Sequence, residues 1–283
     1  MSPRFALTHE SRYRYARPAR LGPQLIRLYP AQHGRCTVTH YRLDITPKPE
    51  RLDWFFDPAG NRTARALFYG VTDEFTVTVA LEADVSPINP FDFLPDMGAQ
   101  TWPFTLEPWL ARQLAPYLEI APPGPLLAAL IAQVPQGRQD SVAFLAGTNA
   151  LIHQRIAYEK RETPGIWDAE RVLTEGRGAC RDMALLLVRL LRALGLAARF
   201  ASGYLIEAEQ DESDHAELHA WAEVYLPGAG WIGLDPTSGL LTAAGHIPLA
   251  TAPDPEAAAP ISGTLEAVPA SSTFRIALRR ITP

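Results

Sequence analysis

The stretch EGRGACRDMALLLVRLLRALGLAARF, residues 175–200, decides how this chain is read. A loop with two glycines, Gly176 and Gly178, runs into a long apolar helical pattern over residues 180–194. Gly195 follows as the residue that ends it. Cys180 sits at the junction. The glycines let the backbone turn tightly just before it, so the helix starts at or beside the cysteine. Unpaired backbone N–H groups and the positive end of the helix dipole lie there. Both favour a thiolate. The same N–H groups suit an oxyanion formed from an attacked carbonyl. Asp182 fits the first turn electrostatically and can tie the preceding loop down. The structural alternative for Cys180 is a small buried hydrophobe.

A second stretch, DHAELHAWAEVYLPGAGWIGLDPTSG at residues 214–239, has strand periodicity. His219, Trp221, Glu223 and Tyr225 fall on one face; Ala220, Ala222, Val224 and Leu226 fall on the other, expected to be core. A turn at Pro227–Gly230 brings WIGLDP back alongside, with Trp231 near Leu226 and Asp235 beside residues 219–223. Asp235 ends that second strand, and Pro236 stops the ladder. A carboxylate there can reach the His219 ring, fix its tautomer and stabilise an imidazolium. Thiol, imidazole and carboxylate then form a proton relay. Each taken alone has a structural reading; the set points to nucleophilic catalysis. Trp221 and Trp231 wall the cleft or pack the hairpin.

The rest of the chain supplies context. EFTVTVALEAD (74–84) alternates with period two, placing Phe75, Val77, Val79, Leu81 and Ala83 on one face. FALTHESRYRYA and CTVTHYRLDITP are further strands, the second with a phase change near His40–Tyr41 that suggests a bulge. Asp57–Asn61 is a hairpin turn between two apolar runs. A proline-rich stretch carrying Trp102 and Trp109 leads to helical patterns starting near Glu107 and Pro125. Ser141 is expected to cap the next helix, and a short glycine-closed helix precedes Cys180. AARFASGYLI is a strand, and TFRIALRRI is a late strand that returns at the chain end.

Bulk properties narrow the function classes. The 283 residues carry a formal net charge of −5 with acids and bases mixed, which argues against nucleic acid as the main partner. No apolar stretch approaches the ~18 residues of a membrane span, and no apolar leader follows Met1. With two cysteines, Cys36 and Cys180, free thiols and a cytoplasmic location are expected. Cys36 lies in a β pattern and reads as structural. His215 and His219 with Cys180 do not make a zinc site: HAELH is not the H-E-x-x-H order, and strand periodicity separates the rings. No metal or cofactor is expected. The acidic segment EAEQDESDHAE before His219 suits a cationic substrate or a solvated loop.

Residues 176–205 together with 218–239 resemble the transglutaminase-like superfamily of papain-type thiol enzymes. The resemblance covers roughly residues 140–240. Its motifs are the glycine-flanked cysteine, the C-x-D helix start, R-F-x-S-G-Y, H-A-W-x-E-V-Y and G-W-x-x-x-D-P. RYRYARPARLGPQLIRLYP (12–30) resembles the β-rich region that precedes this domain in bacterial members. The resemblance implies Cys180 as nucleophile, His219 as base and Asp235 as orienting acid. Tyr158 and Trp167, upstream, are candidates for the cleft together with Trp221. The expected fold is α+β: an N-terminal antiparallel β-sandwich-like domain (1–105), a papain-like catalytic domain (106–250) and a C-terminal tail with a returning strand (251–283). The expected activity is acyl transfer from peptide or isopeptide-like amides through a thioester, with water as the acceptor. Cross-linking to an amine, or binding without catalysis, are the alternatives.

Overall fold

The computed structural model describes residues 3–34, 36–207 and 214–281. Two four-stranded antiparallel sheets hold most of the N-terminal third. One is ordered Ala270–Ile281, Arg4–Ala19, Thr72–Asp84, Thr37–Thr46; the other Ile261–Leu265, Leu21–Ile26, Arg62–Leu67, Arg51–Phe56. The alternating residues Phe75, Val77, Val79, Leu81 and Ala83 face inward and meet Phe5, Leu7, Ile26, Ala64 and Ala66 in one core. The strand 37–46 shifts register between Val38 and His40, where the sequence changes phase. Asp57 holds the hairpin turn by accepting from the N–H groups of Ala59 and Asn61. The chain end therefore returns to the chain start: Ala270–Ile281 pairs along Arg4–Tyr15.

The second body is a five-stranded antiparallel sheet backed by helices. Its order is Leu240–Leu241, Gly230–Asp235, His215–Leu226, Ala198–Glu207, His246–Ala252. The helix Cys180–Ala193 packs on it. Met183, Leu186, Leu187, Leu190 and Leu191 of that helix share a core with Ala222, Val224 and Leu226 of the central strand. Removing these side chains from water supplies the main attachment of helix to sheet, about 1.5–3 kcal/mol for each large one. Tyr204, Ile206, Ile247 and Leu249 join the sandwich core instead, so the two bodies are continuous. Among the described residues no helix is long and apolar enough to cross a membrane.

Two expectations change, and the structure adds a third finding. The helix Ser141–Arg155 is capped by Asp140, whose carboxylate accepts from the Ala143 N–H at 2.8 Å; Ser141 is already inside the first turn and buried. Asp and Ser cap comparably, and the Asp140 carboxylate adds a favourable charge at the positive end of the helix dipole. In the hairpin, Trp231 lies opposite Tyr225, with Gly230 opposite Leu226. Finally, residues 219–224 of the strand 215–226 are buried on both faces. His219, Trp221 and Glu223 are at most 4% exposed, as fully enclosed as the alanine face. Period two shows that faces differ in chemistry; it does not show that the polar one is wet. Here Glu223 is neutralised by Arg199, Nη2 to Oε2 at 2.6 Å. Burial raises the Glu223 pKa, but Arg199 and His33 outweigh it and hold the group at about 2.

Candidate active site

The helix carrying Cys180 begins at that residue. The preceding helix, Ala169–Glu175, stops at Gly176 with φ +64°, a left-handed conformation that glycine accepts without strain. The turn then pairs Arg177 and Gly178 in parallel with Ala157 and Tyr158. Asp182 fixes the junction. It is fully buried, and its carboxylate accepts from the Ala179 N–H (2.9 Å), the Trp167 N–H (2.8 Å) and Arg161 Nη2 (2.8 Å to each oxygen). The expected tie between Asp182 and the loop before the helix is thus made through the Ala179 N–H, with Arg161 and Trp167 as the other donors. Cys180 itself is only partly covered, and both cysteines are free thiols.

Opposite the helix start, His219 Nε2 lies 3.1 Å from Asp235 Oδ2, both groups being buried. Asp235 is aligned from its other side as well: Oδ1 accepts from the Thr237 N–H (2.9 Å) and hydroxyl (2.8 Å). The second ring nitrogen, His219 Nδ1, is buried without a hydrogen-bond partner among the described residues. Glu217 Oε1 is 3.7 Å from it. Burial lowers the His219 pKa, but Asp235, Cys180 and Glu217 raise it more, pushing it up to about 12. The thiol is thus close enough to act on the ring while no aligned hydrogen bond closes on Nδ1. Such contacts are often loose before substrate binds. Burial also pushes the Asp235 carboxyl up, yet hydrogen bonds from His219 and His246 hold it well below the ordinary carboxylate range. An imidazolium between a thiol and a carboxylate is what this arrangement favours.

The remaining predicted residues occupy distinct places. Tyr158 flanks the junction, 44% exposed. Burial raises its pKa, as do the negative charges of Cys180, Glu217 and Asp235, which places its hydroxyl in the same electrostatic field. Trp167 lies with its ring between Arg161 (4.6 Å) and Arg171 (4.1 Å), on the Asp182 side. Trp221 is 1% exposed; its ring underlies the site, 6.4 Å from the His219 ring and 5.3 Å from that of His246. Trp231 packs against Tyr117, Tyr225 and Arg199. Most of the acidic segment before His219, residues 208–213, lies outside the described residues.

Three residues at the site carried no signal in the sequence reading. Glu217 stands beside His219 and is paired with Lys160, Nζ to Oε2 at 3.2 Å. Asn149 donates to the Asp235 and Leu240 carbonyls, pinning the strand end. His246 Nε2 lies 3.2 Å from Asp235 Oδ2. Period two would have put Glu217 on the same face as His219; His246 comes from a different strand and has no local pattern. His219, Asp235 and His246 offer ligand atoms within 4.8 Å of one another. Those atoms are already engaged in the hydrogen bonds just described.

Residues 128–236 match the family model described as the transglutaminase-like superfamily, and residues 5–84 match the bacterial transglutaminase-like N-terminal region. The chain belongs to the transglutaminase-like superfamily. The core match includes the helix start, the histidine strand and the strand-end aspartate. An uncharacterised Mycobacterium tuberculosis protein, Rv2569c, is 29% identical over 250 residues, covering 83% of this chain and 79% of that one. A Pseudomonas aeruginosa protein named protein-glutamine gamma-glutamyltransferase is 23% identical over 218 residues, 73% of this chain and 31% of its own length. Among solved structures, a "Putative Cysteine Protease" from Cytophaga hutchinsonii superposes with a TM-score of 0.73 at 22% identity, over 100% of this chain and 92% of that one. The fold is therefore shared with that structure along the whole chain.

Proposed function

We propose that this transglutaminase-like protein is a cysteine-dependent acyl-transfer enzyme that cleaves peptide or isopeptide-like amides, with water as the usual acceptor. His219 carries the proton given up by the Cys180 thiol; the sulfur attacks the amide carbonyl, and the backbone N–H groups of the helix start receive the developing oxyanion. His219 gives that proton to the leaving nitrogen as the C–N bond breaks, leaving a thioester. His219 then takes a proton from water, the water oxygen attacks the thioester, and the acid leaves as that proton passes back to the sulfur. Asp235 holds the ring and stabilises its charged form throughout. Tyr158 borders the substrate cleft.

One observation carries the reading. The buried imidazole gives one nitrogen to a buried carboxylate and keeps the other without a partner, beside a partly exposed thiol at a helix start. A structural histidine has no use for a buried nitrogen left unpaired. Water is favoured as acceptor because it is always at high concentration and no second-substrate site is recognisable among the described residues. The relative named protein-glutamine gamma-glutamyltransferase supports the rival outcome, amine transfer. A glutamine-containing peptide incubated with a primary amine decides between them: free acid and ammonia are expected, and predominant amide product contradicts the hydrolytic reading. Cys180→Ala should abolish either product. The same proposal places the enzyme in the cytoplasm, a reducing compartment suited to two free thiols; recovery in an exported cell fraction contradicts that part.

A further inference from the structure

We propose that His246 is a positioning residue for the relay, a fixed second donor that clamps the carboxylate of Asp235 so that His219 keeps its working orientation. The inference rests on the reading of Cys180, His219 and Asp235 given above. Asp235 Oδ2 is shared between two imidazoles, His219 Nε2 at 3.1 Å and His246 Nε2 at 3.2 Å. Oδ1 is occupied by Thr237 twice. The carboxylate thus takes one direct donor from the proton-carrying ring and the others from His246 and Thr237.

The tautomer of His246 is set by its surroundings. Its Nδ1 accepts from the Ala243 N–H at 3.3 Å, so the ring proton is carried by Nε2 and points at the carboxylate. A backbone amide cannot turn away, so His246 is a one-way donor. His219 differs: its Nδ1 has no such partner and remains available on the Cys180 side. Two rings on one oxygen are therefore distinguished at their far nitrogens: the backbone fixes that of His246, while that of His219 has no hydrogen bond and only Glu217 Oε1 at 3.7 Å. This separation keeps the mobile proton on His219.

The fold brings His246 in from the far edge of the sheet. It starts the strand 246–252, opposite Leu205, while Asp235 ends the strand 230–235. The Trp221 ring bridges the gap, meeting the His246 ring edge-on at an interplanar angle of 88°. Gly203, on the strand between them, makes room. A Cβ there would come within 2.5 Å of the Trp221 ring and 2.2 Å of the Ile247 carbonyl. A buried aromatic ring and a missing side chain thus serve the placement of one histidine.

Three substitutions test the assignment, with the rate of Cys180 alkylation by iodoacetamide as readout and mass spectrometry to separate it from Cys36. His246→Leu fills the space but donates nothing; the rate should fall roughly ten- to hundredfold, as expected for losing one hydrogen bond to a charged group. His246→Gln can place an amide N–H where Nε2 was and should restore most of that rate. His219→Ala measures the relay itself. If His219→Ala slows labelling and His246→Leu does not, the positioning role is wrong and the relay stands. If His246→Gln is as slow as His246→Leu, donation is not what His246 provides, and the inference is also wrong. If His219→Ala labels at the wild-type rate, the underlying relay fails. Nitrogen-15 spectra should show His246 with its proton on Nε2; a proton on Nδ1 contradicts the clamp directly.

Discussion

Two buried aspartates flank the reacting groups, and they are held by opposite kinds of partner. Asp182, on the helix side, accepts from a guanidinium and two backbone N–H groups. None of these donors loses its proton near neutral pH. Asp235, on the strand side, accepts from two imidazoles and a threonine. The first carboxylate is part of the frame: it fixes the turn that presents the sulfur. The second is coupled to groups that titrate, so its environment changes as a proton moves. Both were visible as acids at motif positions, yet only their partners reveal which one builds and which one works.

Substitutions should separate the two. The largest effect is expected for Asp235→Asn, whose amide would favour the wrong ring tautomer of His219. Turnover of an amide substrate should fall on the order of a thousandfold or more while the fold persists; a loss below tenfold would make the carboxylate incidental. Asp182→Ala should act on stability instead. It leaves Arg161, 12% exposed at its side chain, without its carboxylate, and urea unfolding should show a loss of about 3 kcal/mol or more. An unchanged midpoint would contradict the framing role.

The pH dependence sharpens the same contrast. The Asp235 pKa in the folded protein is depressed, so its stabilising contribution is present above the ordinary value of 3.8 and is lost as pH falls through the folded one. The His219 pKa is raised, from 6.5 to about 12, so its contribution is full below 6.5 and declines as pH rises towards 12. The stability gap between wild type and His219→Ala should therefore narrow from neutral to alkaline pH in thermal melts. A gap that widens in that direction reverses the sign of the argument. The smallest effect is expected for Cys36→Ala. Burial pushes that thiol up, and its removal should change amide turnover by less than a factor of two and stability by only about 1 kcal/mol.

Much of this was legible before any coordinates. Cys180, His219 and Asp235 sit where local rules place them: a glycine turn into a helix, a period-two strand, a hairpin return. Residues whose role depends on distant chain segments were not. His246 reaches Asp235 only because the strand 246–252 joins the far edge of the sheet, and Arg161 matters only through the buried Asp182. The burial of Glu223 depends on the same long-range placement, since its partner Arg199 comes from the neighbouring strand.

The central claim is that His219 activates the Cys180 sulfur. Its most direct measurement is the iodoacetamide labelling rate of Cys180 near neutral pH, with Cys36 as internal control, in wild type and His219→Ala. Cys180 should label much faster than Cys36 in wild type. In His219→Ala the Cys180 rate should drop towards that of Cys36. Equal labelling of the two cysteines in wild type, or a variant rate that matches wild type, would contradict the account.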